Sequence, residues 1–266
     1  MRVRAALAVT VLAALGACSG PPPEQPAARP SVVSASPAPP SSAPPAKPSP
    51  LSAEMLARIP KFPAPPPAVP VKLPEGPEAA WLTHIPTTQP VAFITIDDGQ
   101  IKHPLALPLI EAANVPVSLF LEVDAIKDDP GYFTKLQAAG ATVQAHTISH
   151  PMLRGRSYGF QKNQVCGSAD KLGALYGRRP TLFRPPFGEK DETTLRVVKD
   201  CRMKAAFYWK ATANDGKVWY QGEHRIHPGD IILMHFRKQF PGDFLAILKA
   251  IHKAGLTPAR LEDYVR

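Results

Sequence analysis

Three kinds of residue pattern are missing from this chain, and each absence narrows what it can be. Among 266 residues there are three cysteines, at positions 18, 166 and 201. No basic run is interleaved with aromatics and no nucleic-acid motif occurs, so the formal net charge of +9 points to anionic surroundings such as a membrane surface or a wall polymer. The apolar run Ala5 to Ala17 is too short to span a bilayer as a mature helix. Proline is abundant before residue 91 and sparse after it: 22 of the 33 prolines lie between Pro21 and Pro90. Regular structure is therefore expected mainly from Val91 onward, a length sufficient for one well-buried domain.

The N-terminus carries Arg2 and Arg4 ahead of that apolar run, the pattern of an export leader. Without these two arginines the charge balance is +7. The run closes on Leu15-Gly16-Ala17-Cys18 and resembles the bacterial lipoprotein signal. The resemblance implies a leader at 1–18, lipidation of Cys18, an extracytoplasmic location on the cell membrane facing the wall, and stable anchoring through two or more acyl chains. From Ser19 to about Pro50 the chain is nearly all Pro, Ala and Ser, which predicts a disordered, partly polyproline linker able to reach on the order of 100 Å. Pro65-Pro66-Pro67 extends the pattern, so the linker is placed at 19–85 and the domain at 86–266. Within it, 51–58 suits a turn or two of helix, and Trp81 with Leu82 marks where the chain docks onto the domain.

Beyond Val91 the pattern alternates. Apolar, β-branched runs predict strands at 91–96, 117–123, 141–145, 182–183, 205–209 and 231–236. Amphipathic stretches predict helices at 105–113, 132–139, 161–176, 192–201 and 243–254, with Gly140, Gly177 and Gly255 following three of them. Such alternation indicates parallel βαβ units and an α/β barrel or doubly wound sheet.

Four constellations fall at strand ends. Thr95-Ile96-Asp97-Asp98-Gly99 sets two carboxylates side by side where a strand stops, costly without a nearby cation. His146 and His150, four apart in HTISHP, can share one metal ion, although a lone HxxxH is often structural. Arg184-Pro185-Pro186-Phe187-Gly188 is a stiff loop presenting an arginine, and Leu233-Met234-His235 closes the last strand.

In this order and at these spacings the motifs resemble the polysaccharide deacetylase family, the NodB-homology carbohydrate esterases of family 4, over Val91 to Arg266. The resemblance implies a distorted (β/α) barrel of about seven strands and one divalent metal, zinc ahead of cobalt or manganese. It implies Asp98, His146 and His150 as ligands, Asp97 as general base, Arg184 as its partner and His235 as general acid. The Phe187 N–H stands at the oxyanion, Leu233 and Trp209 line the acetyl pocket, and Asp215 orients His235. The fourth family motif is altered, with Thr212 and Gly216 in place of an aspartate and a tryptophan, and Trp219 is a candidate to fill the space. The expected substrate is an N-acetylated polysaccharide, peptidoglycan ahead of chitin-type glycans, and the expected state is a monomer with no nucleic-acid partner. Two alternatives stand beside this: a catalytically silent glycan-binding wall lipoprotein, and an esterase for O-acetyl groups.

Export permits a disulfide between Cys166 and Cys201, on the two helical stretches flanking the RPPFG loop. His224 and His227 lie in a polar stretch and read as solvated. His84, His103 and His252 have no partner pattern.

Overall fold

A computed structural model describes residues 50–265. The leader, Cys18 and the Pro/Ala/Ser-rich stretch up to residue 49 lie outside the described residues, as does Arg266.

In chain order the first elements are α1 (Ala53–Ala57), β1 (Ala80–Leu82), β2 (Val91–Asp98), α2 (Ala106–Ala113), β3 (Ser118–Leu121) and α3 (Val123–Ile126). Next come α4 (Pro130–Ala138), β4 (Thr142–Ala145), α5 (Tyr158–Tyr176), β5 (Leu182–Phe183), α6 (Glu192–Asp200) and β6 (Ala205–Phe207). The last are β7 (Ala211–Asn214), β8 (Lys217–Tyr220), β9 (Ile231–His235), α7 (Phe240–Lys253) and β10 (Thr257–Pro258).

The sheet runs β1-β6-β5-β4-β3-β2-β9-β7-β8, with β10 on the start of β2. Every pairing is parallel except the β7–β8 hairpin. No pairing joins β1 to β8, so the barrel is distorted and open. Alternation along each strand divides the core in two. Phe93, Phe120, Leu182, Ala205, Phe207 and Ile231 pack together inside the curl of the sheet. Ile94, Ile96, Leu119, Leu121, Val143 and Ile232 pack outward beneath the helices. Strands buried on both faces read as unbroken apolar runs, which is why β2 and β9 were plain in the sequence.

Helix starts follow local chemistry. Asp129 and Ser157 accept hydrogen bonds from Tyr132 N and Phe160 N, and Asp191 forms a reciprocal capping box with Thr194. The structure bridges Cys166 of α5 to Cys201, which ends α6.

Two expectations need correction. The domain does not begin at residue 86. Leu51 is buried, and Met55, Ile59 and Phe62 pack against the outer core. Val71 N donates to Tyr264 O at 2.9 Å, Gln89 Nε2 donates to Pro67 O at 2.8 Å, and β1 adds to the sheet beside β6. Residues 51–85 are therefore a strap on the domain. A polyproline segment has no hydrogen bonds of its own, so whether it floats or packs depends on a surface its sequence does not contain. Second, the stretch matched to the altered fourth motif, in which Asp215 was expected to orient His235, is the β7–β8 hairpin. Its two-residue turn is Asp215-Gly216, both at positive φ (52° and 72°), and Asp-Gly is a favoured pair for such a turn.

Candidate active site

β2 ends in Asp97 and Asp98 and lies between β3 and β9, where neighbouring strand ends can reach it. In a pleated strand adjacent side chains point to opposite faces, so two neighbouring carboxylates can serve one site only if the backbone turns. It does: Asp98 has φ 74° and Gly99 φ 109°. A Cβ on Gly99 would lie 2.6 Å from Ile126 Cγ2. Asp98, Thr147, His150 and Phe187 make up four of the seven non-glycine residues at positive φ among those described. Backbone strain thus gathers at one end of the barrel, as it does at sites where geometry is imposed from outside.

Asp97 and Asp98 divide their partners. Asp97 Oδ1 accepts from Arg184 Nη1 at 2.7 Å, and Arg184 also donates to Thr95 Oγ1 at 2.9 Å and Tyr208 O at 3.2 Å. The guanidinium has no solvent exposure and lies 4.4 Å over the Phe120 ring. Burial pushes the Arg184 pKa down, and the ion pair with Asp97 opposes that shift. Asp98 Oδ1 lies 3.5 Å from both His146 Nε2 and His150 Nε2. Burial alone would raise its pKa; the close approach of His146 and the charges of His146, His235 and His150 outweigh it and hold the carboxyl at about 2.

These atoms fit a metal ion. Asp98, His146 and His150 each offer a ligand atom, all within 4.8 Å of one another, and Asp98 Oδ1 is closed to solvent with no hydrogen-bond partner. Ligands about 2.0–2.1 Å from a tetrahedral zinc stand about 3.3 Å apart, close to the spacing seen here. His146 Nδ1 donates to Arg184 O at 2.6 Å. The carbonyl can only accept, which leaves the Nε2 lone pair facing Asp98, the tautomer a ligand requires. His150 is fixed by its own N–H donating to Thr147 Oγ1 at 3.0 Å and by edge contact with Phe187, ring centroids 4.8 Å apart.

A cavity of about 370 Å³ opens onto these groups and is also lined by Phe187, Gly188, Trp209, Thr212, Leu233, His235 and Arg237. His235 sits opposite Asp97 across the β2–β9 pairing. Burial lowers its pKa and Arg237 lowers it further, while Asp97 and Asp98 oppose. Trp209 stacks on Tyr208 at 4.0 Å, and a Cβ on Gly188 would fall 2.1 Å from Tyr208 Cε2, so this wall needs glycine there. A larger groove between α1, β8 and α7 has no carboxylate in its lining.

Of the expected site residues, Asp97, Asp98, His146, His150, Phe187, Trp209, Leu233 and His235 line this cavity, and Arg184 lies directly beneath it. Asp215 does not join them. It is exposed at the hairpin turn, where it accepts from Asn214 Nδ2 at 2.9 Å, so it does not orient His235. Trp219 does not fill the space left by the altered motif. It faces Thr212 across the hairpin and stays 60% exposed. His227 pairs with Glu223 at 3.2 Å and His224 packs on Tyr220, both away from the site.

Sequence reasoning missed four contributors. Gln164 of α5 holds the 146–150 loop by accepting from Ile148 N and Ser149 N at 2.9 and 3.2 Å. Arg237 lines the cavity and donates to Asn214 Oδ1 at 2.9 Å. Asp243, buried in the first turn of α7, accepts from Gly216 N at 2.7 Å; burial raises its pKa, and His235 lies close enough to moderate that shift. Glu122, following β3, is buried, with its pKa raised by burial and by Asp98. None of the four carries a local pattern that marks it.

The comparisons with known proteins agree with this geometry. The family model for polysaccharide deacetylases matches residues 84–206. An uncharacterised protein of Streptomyces coelicolor is 38% identical over 188 residues, covering 68% of this chain and 76% of that protein. A peptidoglycan-N-acetylglucosamine deacetylase of Bacillus cereus is 26% identical over 150 residues, 53% of this chain and 54% of that one. The wild-type family 4 pseudoenzyme of Bacillus anthracis shares the fold, with a TM-score of 0.62 at 19% identity over 70% of this chain and 69% of its own. A half-open α/β barrel, four ordered motifs meeting in one cavity and these matches together show that the chain belongs to the polysaccharide deacetylase family, the NodB-homology carbohydrate esterases of family 4.

Proposed function

We propose that this chain is an extracytoplasmic, metal-dependent N-deacetylase of cell-wall glycans, held to the membrane by a lipid on Cys18, with peptidoglycan favoured over chitin-type polymers. The observation that carries the reading is the separation of the two adjacent carboxylates: Asp97 is bound to Arg184, and Asp98 faces two imidazoles. A binding module has no use for that division. The peptidoglycan preference rests on the Bacillus cereus relative.

Asp98, His146 and His150 would hold the ion, with zinc favoured over cobalt or manganese. The ion supplies Lewis acidity to the acetyl carbonyl and to the attacking water. Arg184 donates to Asp97 Oδ1, leaving Oδ2 to take the water proton. The Phe187 N–H stands at the cavity wall to receive the developing oxyanion. Leu233 and Trp209 shape an apolar recess for the methyl group, and His235, beside Asp97 on the neighbouring strand, gives its Nε2 or Nδ1 proton to the departing amine. The amide bond breaks to acetate and a free sugar amine.

One observation favours a second reading, glycan binding without turnover: the β7–β8 hairpin gives His235 no hydrogen-bonded carboxylate at Asp215. Acetate release from peptidoglycan and N-acetylglucosamine oligomers, measured by mass spectrometry, separates the two. Turnover that chelation abolishes and Zn²⁺ restores supports the deacetylase. Tight glycan binding with no acetate at any metal concentration overturns it, and release from O-acetylated xylan alone would assign an esterase.

A further inference from the structure

Glu122 has no part in the chemistry above, yet its placement is hard to explain without the metal centre. β3 lies between β2, which carries Asp98, and β4, which leads to His146. Glu122 follows β3 directly. Its N–H donates to Asp98 O at 3.0 Å, and the preceding carbonyl, Leu121 O, accepts from His146 N at 3.1 Å. Strand alternation puts Phe120 inside the barrel and Leu121 beneath the helices, so Glu122 returns to the inner side. The residue is 6% exposed, and its Oε2 is closed to solvent and without a hydrogen-bond partner. It precedes α3 but makes no capping bond to that helix. A buried carboxylate that neither caps a helix nor pairs with a cation is a cost to the fold.

Charge accounting supplies the missing partner. Asp97 and Arg184 cancel within their ion pair. With His146 and His150 neutral, as ligation requires, Asp98 and Glu122 leave two negative charges in a largely buried site at the floor of the cavity. One divalent cation neutralises both.

We infer that Glu122 is a working part of the metal centre: a buried carboxylate outside the Asp98–His146–His150 set whose charge raises the affinity of that set for a divalent cation. The inference rests on the metal-dependent reading above, and the test separates the two. Binding of Zn²⁺ to the metal-stripped full chain is measured by chelator competition, and thermal stability is measured with and without the ion. E122Q is expected to bind Zn²⁺ 10- to 100-fold more weakly, the range typical of outer partners of metal ligands, at unchanged stoichiometry. Without metal, E122Q is expected to melt higher than wild type, because an unpaired buried charge has been removed, and to gain less stability when Zn²⁺ is added. Asp124, exposed two residues away and 3.8 Å from Lys127, is the control, and D124N should bind as wild type does.

Wild-type affinity in E122Q overturns the inference and leaves metal dependence standing. A metal-free E122Q that melts lower than wild type with affinity intact assigns Glu122 a structural role and also overturns it. Loss of folding in both E122Q and E122M does the same, since the charge should burden the metal-free chain. Failure of the wild type itself to bind Zn²⁺ overturns this inference together with the metal-dependent reading.

Discussion

Arg184 Nη1 lies 2.7 Å from Asp97 Oδ1, and neither side chain has appreciable contact with water. The two residues are 87 positions apart, brought together because β5 and β2 end on the same rim of the barrel. Replacing Asp97 with Asn keeps an acceptor for Arg184 while removing the base. The expected result is an activity loss of about 10²- to 10⁴-fold with Zn²⁺ affinity retained, checked by acetate release alongside metal titration. Arg184→Met breaks the buried pair and strands a carboxylate. It is expected to cost about 3–5 kcal/mol of stability, measured by urea denaturation.

Arg237 and His235 predict a pH effect. Burial lowers the His235 pKa, and the Arg237 charge lowers it further. In its proposed role the imidazolium is the active form, so activity falls as pH rises through that pKa. Arg237→Gln removes one lowering influence, and the high-pH limb of the kcat/KM profile should move to higher pH while the low-pH limb stays. An unmoved high-pH limb would mean that the limb does not report His235.

Asp243 predicts a stability effect of definite sign. Burial raises its pKa in the folded chain, opposed by the hydrogen bond from Gly216 and less by the charge of His235. A raised carboxyl pKa favours the folded state below the unfolded value and loses that advantage as pH rises through the folded value. At neutral pH the ionised group is therefore a burden. Asp243→Asn, which keeps an acceptor for Gly216 N, should raise Tm at pH 7 by roughly 2–4 °C, the shift that about 1 kcal/mol produces in a domain of this size. The gain should shrink as the pH falls through the raised folded-state pKa and be gone below the ordinary carboxylate range, and a pH series by scanning calorimetry reads it directly.

The Cys166–Cys201 bridge closes a separation of 35 residues that includes the RPPFG loop. Replacing both cysteines with alanine should cost about 2–4 kcal/mol. Because the loop is also held by the Arg184 bonds, activity well below the new Tm should persist. Thermal denaturation and acetate release on the same preparation test both halves.

The sequence alone determined the chemistry available at each strand end. An apolar run stopping at Asp97-Asp98-Gly99, His146 and His150 after another strand, Arg184 before two prolines and His235 closing the last run were all legible, because strand ends and stiff loops are written in local residue types. Local pattern also misled. Asp215-Gly216 matched a motif position by spacing, but two residues at positive φ made it a hairpin tip, and the proline-rich 51–85 read as linker until the domain surface was there for it to pack on. The family resemblance assigned Asp97 to Arg184 and Asp98 to the imidazoles; the tertiary structure supplied the physical reason, the left-handed turn at Asp98 that lets adjacent carboxylates take different partners. Tertiary structure alone decided that Glu122, an unremarkable glutamate after an apolar strand, stands between Asp98 and His146. Parallel strand order sets that neighbourhood, and no window of sequence contains it.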